Sequence, residues 1–140
     1  IDVFVACNPL KLIADTNLYK SLKSPLIVPQ SLLSKNLKKK FKNLKLLDFG
    51  VGVKENSFEF YKFGAIMPKL YTLVYALSIA TSGKASKILL AGFDGYGSND
   101  KRTKIVDELF YLYSSSKHAR FIIAITPTSY SVSSSSIYGI

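Results

Sequence analysis

The sequence holds a single cysteine, Cys7, a single histidine, His118, and no tryptophan. A lone cysteine cannot close an intramolecular disulfide, and without a Cys/His cluster at ligand spacing no metal site is expected. Such usage fits a reducing, cytoplasmic setting. Acidic residues are also scarce, at 9 Asp+Glu against 19 Lys+Arg, for a net charge of +10. Arginine contributes only Arg102 and Arg120 to that excess, whereas base and phosphate recognition favours the arginine fork. Much of the surplus sits in Lys35, Lys38, Lys39, Lys40, Lys42 and Lys45, which reads as a solvated lysine-rich face rather than a nucleic-acid surface. No apolar run approaches the roughly 18 residues a membrane span needs. The longest, Leu70 to Ala80, is interrupted by Tyr71, Thr72, Tyr75 and Ser78, so a soluble chain is expected. Neither Met nor a signal-peptide n-region stands ahead of the strand-like Ile1 to Ala6. The chain therefore reads as a piece of a longer protein whose preceding domain is an expected partner.

What remains is globular. Hydrophobic residues make up 48% and charged residues 20% of 140, enough apolar surface for one core and one domain, residues 1–140. Val3 to Cys7 is a short buried strand ended by Asn8-Pro9. Lys11 to Lys23 has roughly helical spacing with a break at Asp15-Thr16-Asn17. Prolines bracket a strand at Pro25 to Pro29, and Ser31 is placed to cap a short helix running into the lysines. Leu44 to Phe49 forms another strand, closed by Gly50-Val51-Gly52, and Ser57 to Phe63 suits either an edge strand or an ordered loop. Pro68 opens a helix that ends at Gly83. Ser86 to Lys104 reads as a buried parallel strand, a glycine-rich turn and the start of a helix carrying Ile105, Leu109 and Leu112. Phe121 to Ile125 is the last clear strand, and Ser133 to Ser136 a low-complexity loop. Strand and helix alternate, and the pattern predicts an α/β fold: a three-layer Rossmann-like domain with a mostly parallel sheet.

In such a sheet, ligands bind beyond the carboxyl ends of the strands. That rule selects Cys7-Asn8-Pro9, Pro29-Gln30-Ser31, Gly92 to Asp100, and Thr126 to Tyr130. The third is the richest, with Gly92, Gly95 and Gly97 for tight turns and Asp94, Tyr96, Ser98, Asn99 and Asp100 for polar contacts. Its glycines fall at the first, fourth and sixth places, so it is not the dinucleotide fingerprint. It reads equally as a ligand loop and as a turn in which Asp94 or Asp100 caps the next helix. Asn8 is either a turn former or a group facing a base or ribose, and Thr128 either touches a ligand or closes a loop. Cys7 reads as a small buried residue rather than a nucleophile. His118 is either a helix-end imidazole or a catalytic base. The candidate ligand residues are Asn8, Gly92, Asp94, Gly95, Tyr96 and Thr128, with His118 the one catalytic candidate.

Asp2-Val3-Phe4-Val5-Ala6-Cys7-Asn8 resembles the second strand of bacterial lipooligosaccharide sialyltransferases, which ends in Cys-Asn near the nucleotide of a CMP-sugar donor. Thr81-Ser82-Gly83 and Lys87 to Tyr96 resemble that family's helix, strand and Gly-x-Asp-x-Tyr loop. Ile125 to Tyr130 is similar to the closing strand of the related C-terminal domain attached to aldolases of the hydroxymethylglutaryl-CoA-lyase-like class in surface-polysaccharide gene clusters. These segments cover about a third of the chain. The resemblance implies that Asn8 faces the nucleotide and Tyr96 the phosphate of a sugar nucleotide, with Asp94 shaping the loop. The family's opening glycine-rich strand-turn-helix is missing, so the domain is expected to be truncated at its N-terminal side. The expected function is an accessory or C-terminal domain of a polysaccharide-biosynthesis protein that binds a nucleotide, nucleotide-sugar or sugar phosphate, with no cofactor evident. An active glycosyltransferase using His118, and a non-catalytic assembly module, are the alternatives. The sequence leaves a homo-oligomer open.

Overall fold

A computed structural model describes residues 2–97 and 99–139. Helices and strands mix, and most strand pairs are parallel, as an α/β chain requires. Hydrogen bonding divides the strands among three three-stranded sheets where one sheet was expected.

The first sheet has the order β1-β2-β3, from β1 (Phe4–Val5), β2 (Leu26–Val28) and β3 (Leu46–Asp48), all parallel. Two short helices, α1 (Pro9–Ala14) and α2 (Thr16–Lys20), connect β1 to β2 and divide at Asp15, where the sequence placed its break. The next helix, α3 (Lys35–Lys40), is capped by Ser34, whose side chain accepts from Leu37 N. Ser31, the expected cap, lies in a 3-10 turn at Gln30–Leu32. α3 buries Leu37 and leaves its lysines exposed, with Lys38, Lys39 and Lys40 in the last turn, where cations complement the helix dipole.

The second sheet departs from the sequence expectation. Gly50–Val53 is a strand, β4, rather than the close of β3; it pairs in parallel with β6 (Gly64–Met67), and β5 (Glu59–Tyr61) adds to β6 antiparallel. The β4–β6 approach depends on glycine, since a Cβ at Gly64 would stand 2.9 Å from the Gly50 carbonyl oxygen. Pro68 is buried ahead of the next helix instead of opening it, and α4 (Thr72–Ser82) begins after Tyr71.

The third sheet, β7-β8-β9, is parallel throughout: β7 (Lys87–Leu90), β8 (Phe121–Ala124) and β9 (Ser133–Ser134). Ser133 and Ser134, expected in a loop, thus add a strand. α5 (Lys101–Ser114) joins β7 to β8. Its Val106, Phe110 and Tyr113 pack in one cluster with Leu77 of α4, Ile88 and Leu90 of β7, and Ile122 of β8. The other face of these strands is open: Leu89 is 41% and Phe121 63% exposed. β7 is parallel as expected, but only half-buried, and on one side alone, through Ile88 and Leu90. A second cluster holds Cys7, Phe49, Met67, Val74, Tyr75 and Leu109, and so ties β1, β6, α4 and α5 together. No helix among the described residues is long and apolar enough to cross a membrane.

Candidate functional site

Three chain ends meet beyond the carboxyl termini of parallel strands. Asn8 follows β1, the loop from Gly92 to Tyr96 follows β7, and Tyr130 follows β8; Asn8, Tyr96 and Tyr130 line one cleft of about 480 Å³. Lys11, Leu70, Phe93, Val106 of α5 and the start of α4, at Tyr71, Thr72 and Leu73, complete its wall. α4 has no side-chain cap, so the N–H groups of its first turn retain donor capacity and a partial positive charge. A smaller cleft of about 310 Å³ adjoins it, lined by Gly92, Phe93, Asp94, Gly95, Tyr96 and Tyr130. Phe93, Tyr96 and Tyr130 are common to both.

The loop after β7 is held from two sides. On one side Thr126 Oγ1 accepts from Gly92 N at 2.9 Å, and Asp94 O accepts from Ser129 N at 2.8 Å, which stitches it to the loop after β8. Gly92 and Gly95 have φ of 66° and 104°, a region open to glycine but costly for other residues. At Gly95 the need is also steric, because a Cβ there would overlap Ser129 Oγ. On the other side the Arg102 guanidinium lies 3.9 Å from the Tyr96 ring centroid while binding Asp100 at 2.6 Å. That hydrogen bonding holds the Asp100 carboxyl below the usual range.

Asp100 is the N-cap of α5, accepting from Arg102 N at 2.8 Å. Asp94, by contrast, engages through its backbone, and lines the smaller cleft. Asn8 caps α1, its Oδ1 accepting from Leu10 N and Lys11 N. Its Oδ1 is thus occupied in shaping the turn, and the residue lines the larger cleft. Thr128 Oγ1 accepts from Tyr130 N at 3.2 Å; Thr128 lines neither cleft, and Tyr130 does. The Tyr130 ring packs at a tilt against Phe93 and Phe110, with centroids 5.2 and 5.8 Å away. Burial raises its phenol above the ordinary value, with a backbone hydrogen bond from Tyr96 opposing.

Against known proteins, the chain matches no family model, no curated protein and no solved structure.

Other sequence candidates lie elsewhere. The loop at Pro29-Gln30-Ser31 is tied to β3 by Gln30 N donating to Asp48 Oδ1 at 2.8 Å, and it lines neither cleft. Cys7 is 1% exposed, with its Sγ 3.7 Å from Thr72 Oγ1, and burial pushes its thiol up, away from the nucleophilic thiolate. His118 precedes β8, so it lies at the amino end of strands whose carboxyl ends carry Tyr96 and Tyr130; it lines a different cavity. Ser98 lies outside the described residues. Tyr71 and Thr72 belong to the site because α4 starts after Tyr71 rather than at Pro68, where the sequence predicts it.

Proposed function

We propose that the cleft between Asn8 and Tyr96 binds a nucleotide or sugar phosphate, within a Rossmann-like accessory domain of a bacterial surface-polysaccharide biosynthesis protein. The observation that carries this reading is the convergence of the loops after β1, β7 and β8 on one cleft with the uncapped start of α4. Each component has a chemical use there. First-turn N–H groups of α4 and the Lys11 ammonium suit a phosphate; Phe93, Tyr96 and Tyr130 offer ring faces to a base or a sugar. The resemblance of Asp2 to Asn8 and of Lys87 to Tyr96 to sialyltransferase segments favours a CMP-linked ligand.

Binding is a better reading than catalysis by this chain alone. His118, the only imidazole, and Tyr96 stand at opposite ends of the β7–β8 pair, so a transfer step using both has no shared centre. Calorimetry of the intact protein with CMP, UDP and their sugars tests the reading. Saturable binding that is lost in Tyr96→Ala is expected, and no heat with any of them would overturn it.

A further inference from the structure

At the amino end of β7 and β8 lies a separate cavity of about 530 Å³. Lys62, Lys84, His118 and Arg120 line it, with no Asp or Glu among the lining residues. None of the four is in an ion pair among the described residues. The nearest acid in sequence, Glu59, is already engaged by the Tyr61 hydroxyl and by Lys54. Two polar atoms of residues in this lining, Ser82 Oγ and Arg120 Nε, are buried and have no hydrogen-bond partner among the described residues, and Arg120 also lines a neighbouring cavity with Phe121 and Ser133. A buried guanidinium N–H without an acceptor is a costly arrangement that native structures normally resolve. Arg120 is nevertheless held in place, since its backbone N donates to Tyr113 OH at 3.0 Å, and that hydroxyl also meets Thr81 Oγ1.

Lys84 adds an independent argument. α4 ends in a Schellman motif, with Lys84 N bonded to Thr81 O and Ala85 N to Ala80 O. The motif puts Lys84 at φ 60°, the position where glycine is the favoured residue. Glycine stands one place earlier, at Gly83, with φ −73°. A lysine therefore occupies a strained site that folding alone would give to glycine, and it lines the same cavity as Arg120. His118, at φ 73°, is a second non-glycine residue in that region on the same cavity.

We propose that this cavity is a second anion site that takes the phosphate of a phosphate monoester, with Arg120 and Lys84 holding its oxygens and Phe60 and Tyr61 against its organic body. It is distinct from the cleft at Tyr96 and does not depend on what that cleft binds.

The test is an amide NMR titration of the full chain with inorganic phosphate and with phenyl phosphate, chloride being adjusted to hold ionic strength constant. Saturable shifts are expected at residues 81–84 and 118–120 and not at 92–96, with phenyl phosphate the tighter ligand. Arg120→Gln and Lys84→Gly should each weaken binding about tenfold, the equivalent of one charge-assisted hydrogen bond. Lys84→Gly should also raise the melting temperature, which separates loss of a ligand contact from loss of fold. Unsaturable shifts, shifts reproduced by chloride, shifts confined to 92–96, or a Lys84→Gly protein that binds phosphate unchanged would each overturn the proposal.

Discussion

Arg102 stacks its guanidinium 3.9 Å from the ring centroid of Tyr96 and binds the N-cap carboxylate of its own helix, Asp100, through both side-chain oxygens. One side chain thus joins the start of α5 to the cleft. Removing Asp100 frees the arginine from its anchor as well as uncapping the helix. Asp100→Ala is expected to lower the melting temperature and weaken ligand binding at the Tyr96 cleft together, whereas Arg102→Lys, which keeps charge but loses the planar stack, should spare stability and weaken binding. Thermal melts and calorimetry on both variants decide it.

The same pair sets a pH dependence. Because Arg102 depresses the Asp100 carboxyl in the folded state, its contribution is complete above the unfolded carboxylate value of about 4. It is lost as pH falls through the lower folded value. The wild type should therefore lose more stability than Asp100→Asn between about pH 4 and pH 2, read by denaturant midpoints across that window.

Gly92 and Gly95 separate two costs of a side chain in this loop. Both have positive φ, but a Cβ at Gly92 meets nothing within 4 Å while one at Gly95 overlaps Ser129 Oγ. Gly92→Ala should cost about 1 to 2 kcal/mol, the left-handed penalty alone. Gly95→Ala should cost about 3 kcal/mol or more, since steric strain adds to it, and Ser129→Gly should recover the steric part only. Chemical denaturation of the three proteins measures each share.

These glycines were legible because positive φ leaves a local mark on sequence, and so was the strand-loop-helix from Ser86 to Lys104 that carries them. Asn8 and Tyr96, both singled out in the sequence as residues that follow strands, line one cleft. The second sheet was not legible. Gly50-Val51-Gly52 looks like a turn in isolation and becomes β4 only because Gly64 lets the two backbones close. Ser133 and Ser134 have no strand propensity and are recruited by the edge of β8. The site residues missed, Tyr71 and Thr72, follow from the same limit: Pro68 is buried ahead of α4, which starts after Tyr71, although proline favours a first turn.

Cys7 gives a reactivity prediction. Burial raises its thiol above the ordinary value of 9.0, with a weaker opposing effect from Thr72. A raised folded value means that the stabilising neutral form is complete below the unfolded value and lost as pH rises through the folded one. Alkylation by iodoacetamide at pH 8 should be negligible in the native protein and rapid in denaturant. Native labelling at the unfolded rate would show that the β1–α4 contact opens readily.

Tyr113 connects the core to the second cavity. Its ring lies edge-on to Phe58 and Phe60, with centroids at 5.5 and 6.0 Å, and its hydroxyl takes the Arg120 N–H at 3.0 Å and contacts Thr81. Tyr113→Phe keeps the ring packing and removes the acceptor, leaving a partly buried N–H without its partner. The expected cost is about 1 to 3 kcal/mol. Because Arg120 is positioned through that bond, phosphate affinity at residues 81–84 and 118–120 should fall as well, while binding at the Tyr96 cleft is unchanged. Equal losses at both places would mean that Tyr113 supports the fold as a whole rather than this end of the sheet.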